Sequence, residues 1–142
     1  MSETSRSSER KDPGTGGVLT TAVLGASPKA DRYAHMAFTR LRAAGHPVIP
    51  VNPAYSEIEG VSCAGDVAEA VRIAGPGGLH TLTVYVGPAH LEPLIPSIVE
   101  AAPKRVVFNP GSESETARRA LDSAGIPWIE ACTLVLLSTD QY

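Results

Sequence analysis

Short apolar runs alternate with longer amphipathic stretches along most of this chain, and this alternation limits its fold more than any other feature. The five clearest runs are LTTAVLG, HPVIPVNP, LHTLTVYV, KRVVFNPG and IPWIEACT. Parallel strands need a crossover of a dozen or more residues, usually a helix, between one strand and the next. The pattern therefore predicts an α/β fold of the Rossmann-like, doubly wound kind, with a mainly parallel sheet, helices on both faces and three layers.

Right-handed crossovers favour the strand order 3-2-1-4-5-6, with a very small third strand around GVSCAG at one edge. Helices are predicted over 31–44, 66–73, 87–103 and 112–124. Asp66 is suited to cap the second of these helices. The fourth is expected to begin with a capping box, in which Ser112 reaches Glu115, and to end at Gly125.

The length and charge of the chain exclude several classes of protein. A chain of 142 residues with 43% hydrophobic content has room for one core, so we expect a single domain over residues 18–142 after a disordered leader over residues 1–17. The net charge of -3 provides no overall positive field for nucleic acid or an anionic membrane. No run approaches the roughly 20 apolar residues of a membrane span, and no secretory signal is visible. We therefore expect a cytoplasmic protein.

The segment GASPKADRY follows the first predicted strand and has the composition of a phosphate-binding turn. Gly25 allows a ligand to approach the backbone closely, and Ala26 and Ser27 are small residues that offer amide groups. The dipole at the start of the next helix favours an anion at the same place, and Lys29 and Arg32 add positive charge. The alternative is an ordinary turn with solvated cations. The combination favours a bound phosphate group.

Four loops are expected to meet beyond the carboxyl ends of the strands, where ligands bind in sheets of this kind. They cover residues 25–33, 52–55, 86–88 and 109–112. Tyr33 and Tyr55 lie in these loops, and their rings either stack on a base or simply pack against the protein. No catalytic residue is predicted, because Ser27 lacks a paired His and Asp, and neither His80 nor His90 has an evident acidic partner.

The turn departs from the usual dinucleotide fingerprint. GxGxxG, followed about 20 residues later by an acidic residue, binds the pyrophosphate and ribose of NAD. This chain has the single glycine of GASPKA, and its second predicted strand ends in Asn52 and Pro53. An NAD-dependent dehydrogenase is therefore disfavoured. An NADP-like ligand stays open, because Arg32 is available for a ribose phosphate.

Together these residues carry a family resemblance. The segment AVLGASPKADRYAHMAFTRLRAAGHPVIPVNPAYSEIEGVSC closely resembles the small stand-alone CoA-binding proteins, whose Rossmann domain is similar to the CoA-binding domain of the succinyl-CoA synthetase alpha chain. The resemblance continues through VYVGPAHLEPLIPSIVEA, weakens at VVFNPGSESETARRALDSAGI and returns at IEAC, covering about residues 18–133. Its most specific part is the combination of GASP, the following Arg32, and VNP at the end of the second predicted strand.

The resemblance implies coenzyme A or an acyl-CoA as the ligand. It implies a pyrophosphate contact for the Gly-Ala-Ser of the turn, a phosphate contact for Arg32, and an adenosine contact for Asn52 and Pro53. The loop at residues 86–88 is implied to lie across the cleft. The complete predicted binding set is Gly25, Ala26, Ser27, Lys29, Arg32, Tyr33, Asn52, Pro53, Val86, Gly87, Pro88 and Asn109. The chain departs from the family at FNPG and at the Glu-Ala pair before Cys132, which are nearest the thiol end of the ligand.

The leading hypothesis is a non-catalytic carrier, sensor or regulatory module that holds CoA or an acyl-CoA. The alternative is a small NAD(P)-dependent oxidoreductase, or an acyl-CoA ligase component that needs a partner subunit. Cys63 and Cys132 have neither zinc-ligand spacing nor a disulfide framework around them. Cys132 is either a partner for the CoA thiol or an inert small core residue. The open end strands allow a homodimer without requiring one.

Overall fold

The computed structural model describes residues 19–142, and the leader predicted over residues 1–17 lies outside them. Five parallel strands form the central sheet in the order β2-β1-β5-β6-β7, and β3 and β4 form a small antiparallel hairpin beside it. The strands are β1 (Thr21–Leu24), β2 (Val48–Val51), β3 (Glu57–Ile58), β4 (Val61–Ser62), β5 (Thr81–Val84), β6 (Arg105–Phe108) and β7 (Trp128–Glu130). Every residue of β1, β2 and β5 is buried, as expected for strands covered on both faces.

Helices cover both faces of the sheet. They are α1 (Tyr33–Ala43), α2 (Val67–Ala74), α3 (Pro88–Leu91), α4 (Ile95–Ala101), α5 (Glu115–Ala124) and α6 (Thr133–Ser138), with a 3₁₀ turn at Glu92–Leu94. α1 and α6 pack over one face around Val23 and Phe38, and α2, α4 and α5 pack over the other around Leu82 and Leu121. The three-layer, doubly wound α/β fold predicted from the sequence is confirmed. Between residues 19 and 142, no helix is long and apolar enough to cross a bilayer.

The predicted small third strand is reduced to a single parallel bridge between Val51 and Ala64, on the outer side of β2. The Ala64 amide donates to the Pro50 carbonyl at 2.8 Å. Because the backbone of Pro50 faces this sparsely paired side, its missing N–H costs the main sheet no hydrogen bond. The order of the other five strands is the predicted one.

The helix predicted over 87–103 is divided into α3, the 3₁₀ turn and α4. Pro93 lies inside the 3₁₀ turn and Pro96 at the start of α4. Proline has no N–H to donate and its ring crowds the preceding turn, so a continuous α-helix cannot pass through both positions.

The predicted capping box at the start of α5 is wrong. Ser114, not Ser112, caps the helix, and its hydroxyl accepts the Ala117 amide at 3.1 Å. Ser112 is buried, and its hydroxyl instead donates to the Asn109 carbonyl at 2.7 Å, which closes the turn after β6. The end of the helix was predicted correctly, because Gly125 adopts the left-handed conformation with φ of +74°.

The cap of α2 is also as predicted, since the carboxylate of Asp66 accepts the Glu69 amide at 2.8 Å. The sequence pattern does not predict α6, which follows β7 after two residues. The amide of Thr133, the first residue of α6, donates to the Asn109 side chain in the loop after β6. Beyond α6, Arg105 donates to the Tyr142 carbonyl at 3.0 Å. The segment thus crosses the sheet from its carboxyl edge to its amino edge.

Candidate functional site

A cleft of about 250 Å³ opens at the carboxyl edge of the sheet between β1 and β5. The chain leaves β1 for β2 on one side and returns to β5 on the other. The cleft therefore lies at the switch point, where ligands bind to doubly wound sheets. Six residues of the predicted binding set line it, namely Gly25, Ser27, Arg32, Tyr33, Val86 and Gly87. The lining also includes Ala34, Tyr85, Pro110, Gly111 and Ser112.

Gly25 allows the two sides of the cleft to lie close together because it has no side chain. A Cβ atom at this position would lie 2.8 Å from the Val86 Cγ1 and 3.1 Å from the Tyr85 carbonyl oxygen. Its φ of +89° is also a conformation that other residues adopt only with strain. The loop after β1 and the loop after β5 can therefore approach this closely only with glycine at position 25.

The amides of the turn are arranged differently from the expectation. The amides of Gly25 and Ala26 both donate to the Val51 carbonyl, at 3.0 and 3.3 Å. Ala26 is fully buried and does not line the cleft. Its amide, expected to be open to a phosphate, is thus part of the connection to β2, and Ala26 supports the cleft from beneath.

The first turn of α1 provides backbone donors that face the cleft. Arg32 is the N-cap residue, with extended backbone and no side-chain cap. Tyr33 and Ala34 are the first two helical residues and both line the cleft. Amides at these positions have no acceptor within a helix. No acidic side chain lies in this first turn, so the positive end of α1 is available to an anion.

Arg32 contributes a full positive charge to the same place. Its side chain is exposed and lines the cleft, and no carboxylate among residues 19–142 forms an ion pair with it. Lys29 is exposed but lies outside the lining, and its amide donates to the Ser27 hydroxyl at 3.1 Å. Of the two predicted cations, Arg32 is the one that the fold directs to the cleft.

Asn52 connects the loops of β1 and β2. Its Nδ2 donates to the Ala26 carbonyl, and its Oδ1 accepts the Ala54 amide, both at 2.8 Å. Pro53 and Pro88 are exposed. None of these three predicted residues lines the cleft itself, and Asn52 and Pro53 lie on the β2 side of the turn.

Asn109 is buried and lies under the cleft. Its Nδ2 donates to the Thr83 Oγ1 at 2.7 Å and to the Val84 carbonyl at 2.9 Å. Its Oδ1 accepts the Thr133 amide at 2.8 Å. All its polar groups are therefore used inside the protein, where they join β5, β6 and the start of α6. Asn109 was predicted as a ligand contact, and the structure shows its side-chain amide engaged in hydrogen bonds within the protein.

Sequence reasoning did not name Tyr85, Pro110, Gly111 or Ser112 as site residues. The signal for the last three was present, since the loop over 109–112 was expected at this edge. Tyr85 lies near the end of the apolar run LHTLTVYV, which was predicted as a buried strand, so nothing in the pattern marked it as a site residue. Its hydroxyl is buried and makes no hydrogen bond of normal geometry within the described chain. Burial is the main cause that raises the pKa of Tyr85 to about 12, and the nearby hydroxyls of Thr133 and Thr83 act in the opposite direction.

Replacing Tyr85 with phenylalanine is expected to increase the free energy of unfolding by about 1 kcal/mol, because the change removes a buried polar group that makes no hydrogen bond of normal geometry with residues 19–142. Urea denaturation measures the difference. Tyr142→Phe is the matched control, since the hydroxyl of Tyr142 is hydrogen-bonded to Thr21 and its loss should destabilise the protein by a similar amount. A destabilised Tyr85→Phe variant would contradict the prediction.

The two cysteines are separate from this cleft. Cys132 is the half-buried N-cap residue of α6 and is not part of the lining. Burial, followed by the charge of Glu57, raises the pKa of the Cys63 thiol, so this thiol is protonated near neutral pH. Neither position strengthens the hypothesis of a reactive thiol.

A switch-point cleft that combines a glycine turn, helix amides and a guanidinium that no carboxylate of residues 19–142 pairs with is typical of α/β domains that bind nucleotides. The family model for the CoA binding domain matches residues 19–138. The chain therefore belongs to this family, as the resemblance in its sequence implied. Comparison with the curated proteins gives no match.

Two solved structures resemble the chain over most of their length. An uncharacterized protein of known crystal structure is 35% identical with a TM-score of 0.78, and the match covers 88% of this chain and 98% of that one. A conserved hypothetical protein from Pyrococcus furiosus is 34% identical with a TM-score of 0.69, and the match covers 80% of this chain and 92% of that one.

A much longer protein contains a similar fold. The dinucleotide-forming acetyl-coenzyme A synthetase 1 of Ca. Korarchaeum cryptofilum, in complex with phosphate and ADP, is 20% identical to this chain with a TM-score of 0.65. The match covers 80% of this chain and 25% of the synthetase. At this level of identity, the likeness shows a common fold.

Proposed function

We propose that this protein binds CoA or an acyl-CoA in the switch-point cleft, with the phosphates at the start of α1. The observation that carries the proposal is the convergence of the Arg32 guanidinium with the open amides of Tyr33 and Ala34. These donors lie at the ligand-binding edge of a chain that belongs to the CoA binding domain family.

The number of donors is sufficient for binding in the micromolar range. A hydrogen bond to a charged group contributes about 1.5–3 kcal/mol, and micromolar affinity corresponds to about 8 kcal/mol. Two amides and one guanidinium therefore supply roughly half to all of the required free energy. Contacts of the adenine and the pantetheine arm with the loop surfaces supply the remainder.

The size of the cleft indicates how a long ligand is placed. A volume of about 250 Å³ is slightly below the range of about 300–1,000 Å³ that encloses a drug-sized molecule. We infer that the cleft holds the pyrophosphate and its neighbouring groups. The adenosine end then extends over the β2 side, towards Asn52 and Pro53.

We propose a carrier, sensor or regulatory role without turnover. The polar side chains that line the cleft are two hydroxyls, two phenols and one guanidinium, at Ser27, Ser112, Tyr33, Tyr85 and Arg32. General acid–base catalysis near neutral pH usually needs an imidazole or a carboxylate, and residues 19–142 contribute neither to the lining. This composition suits holding a ligand better than transforming it.

Isothermal titration with CoA, dephospho-CoA, NAD and NADP tests the proposal. We expect CoA to bind most tightly, because it offers the 3′-phosphate and the pantetheine arm as well as the pyrophosphate. Tighter binding of NAD or NADP would favour the oxidoreductase alternative and overturn the proposal. The absence of heat with all four ligands would also overturn it.

Arg32→Ala is expected to weaken CoA binding roughly tenfold at low salt, because one charge-assisted contact is lost. The loss should be smaller at high salt, since screening already weakens the contact in the unmodified protein. Arg40→Ala is a matched control, because Arg40 is exposed in the last turn of the same helix. Equal affinities of Arg32→Ala and Arg40→Ala at low salt would remove Arg32 from the site.

A further inference from the structure

The edge of the sheet at β7 leaves backbone groups open. Among residues 19–142, β7 pairs only with β6. The Pro127 carbonyl and the Ala131 amide are hydrogen-bonded to β6 at 2.9 and 3.1 Å. Backbone groups of alternate residues in a strand point to the same side, so Ile129 also faces β6. The amides and carbonyls of Trp128 and Glu130 therefore face away from the sheet.

The side chains of β7 differ on its two faces. On the α5 face, the carboxylate of Glu130 accepts from Arg118 at 2.6 Å, and the guanidinium of Arg118 lies 5.6 Å from the centroid of the Trp128 ring. On the opposite face, Ile129 is 41% exposed. Val135 of α6, which packs on that same side of the sheet, is 54% exposed. One face of the edge is thus charged, and the other is apolar.

We propose that β7 pairs antiparallel with β7 of a second copy of this chain, around a two-fold axis at Ile129. In this register, Ile129 lies opposite Ile129 of the second copy. Trp128 lies opposite Glu130 of the second copy, and the reverse pair follows from the symmetry.

The open backbone groups select this register. Antiparallel pairs alternate between hydrogen-bonded and non-hydrogen-bonded positions. The outward groups of Trp128 and Glu130 form the hydrogen-bonded pairs, with four N–H···O=C bonds across the axis. Ile129 forms the non-hydrogen-bonded pair, in which the Cα atoms are about 4.5 Å apart and the side chains are closest. A shift by one residue would place inward-facing groups opposite outward-facing ones.

The charges favour a second copy over an unrelated strand. Across the axis, Glu130 of one copy lies opposite Trp128 of the other. In that second copy, the guanidinium of Arg118 lies over the Trp128 ring. Each Glu130 therefore meets a guanidinium from the other chain on the α5 face, while two aliphatic side chains meet on the other face. Opposite-charge and aliphatic pairs of this kind stabilise neighbouring strands. A foreign strand would need to supply both features in the same register.

The edge lies two strands away from β5, with β6 between them. Pairing there leaves the switch-point cleft open, so the dimer and the ligand site are independent of each other. Two strands of three residues bury a small area compared with a standard interface. The dimer is therefore expected to be weak and to depend on concentration.

Sedimentation velocity from about 1 to 500 µM, which brackets dissociation constants in the micromolar range and weaker, tests the proposal on the full chain. We expect a monomer–dimer equilibrium that Ile129→Lys weakens at least about tenfold, because like charges would lie directly opposite each other. Ile73→Lys is the matched control, since Ile73 is a 50% exposed isoleucine on α2. Circular dichroism confirms that both variants are folded. A monomer at every concentration, or a dimer unaffected by Ile129→Lys, would overturn the proposal.

A cross-link tests the register. Ile129→Cys is made together with Cys63→Ser and Cys132→Ser, and oxidised glutathione serves as the oxidant. A Cα separation of about 4.5 Å lies within the range for a disulfide, so we expect a covalent dimer. Ile73→Cys in the same background should stay largely monomeric. Equal cross-linking of the two variants would contradict the register, and with it the proposed dimer.

Discussion

Replacing Gly25 with alanine is expected to abolish CoA binding and to lower the free energy of unfolding by about 2–4 kcal/mol. The added Cβ would lie 2.8 Å from the Val86 side chain and 3.1 Å from the Tyr85 carbonyl. The Val86 side chain can turn away, but the backbone at Tyr85, just after β5, can move only by widening the cleft. Alanine at a φ of +89° also adds backbone strain. Urea denaturation and isothermal titration measure the two effects.

Gly45→Ala separates backbone strain from this contact. Gly45 has a φ of +93°, and nothing lies within 4 Å of the position that its Cβ would take. The control therefore carries the same conformational cost, of about 1 kcal/mol, without the overlap. We expect it to bind CoA normally. If Gly25→Ala were no less stable than Gly45→Ala and bound CoA equally well, the close approach of the two loops would have no part in the site.

The layered fold was predictable because its signals are local. The apolar runs of β1 and β5 contain no charged residue, so only a sheet covered on both faces accommodates them. Asp66 and Gly125 mark helix ends by their own side-chain and backbone properties. The six residues of α6, TLVLLS, lack a polar face, and a segment this short shows no helical period.

The details of the site depend on contacts that are distant in sequence. Ala26 and Ser27 are both small residues in a turn, but the Val51 carbonyl receives the amide of Ala26. Which amide stays open is decided by the pairing of β1 with β2, which composition does not show. Arg32 and Lys29 present a similar case, since only Arg32, the N-cap residue of α1, is part of the cleft lining. Residue type predicted the kind of ligand better than it predicted the individual contacts.

Asn109 is another residue whose role could not be read from its type, and replacing it is expected to have the second large effect on stability. An amide side chain at the end of a strand suits a ligand and an internal network equally well. Here it makes three hydrogen bonds at 2.7, 2.9 and 2.8 Å. Asn109→Asp keeps the acceptor for the Thr133 amide, loses both donors and turns a negative charge towards the Val84 carbonyl. We expect it to lower the free energy of unfolding at pH 7 by about 3 kcal/mol or more.

The loss should depend on pH. Burial and the neighbouring carbonyl disfavour the charged form, so the pKa of the introduced carboxyl group rises above its unfolded value of about 3.9. The folded variant then holds a proton that the unfolded chain has released. Its stability relative to the unmodified protein is therefore highest at low pH and falls as the pH rises through the folded pKa. Protonation restores one donor, which gives the recovery a structural basis.

Urea denaturation measures this dependence. The variant and the unmodified protein are compared at each pH from about 4 to 7, the range in which the raised pKa acts. Asn52→Asp is the matched control. Asn52 makes the same kinds of hydrogen bond, to Ala26 and from Ala54, but it is only partly buried, so water solvates a charge there and the loss is smaller. If the deficit of Asn109→Asp were independent of pH, or no larger than that of Asn52→Asp, the amide of Asn109 would not be the buried connection between β5, β6 and α6.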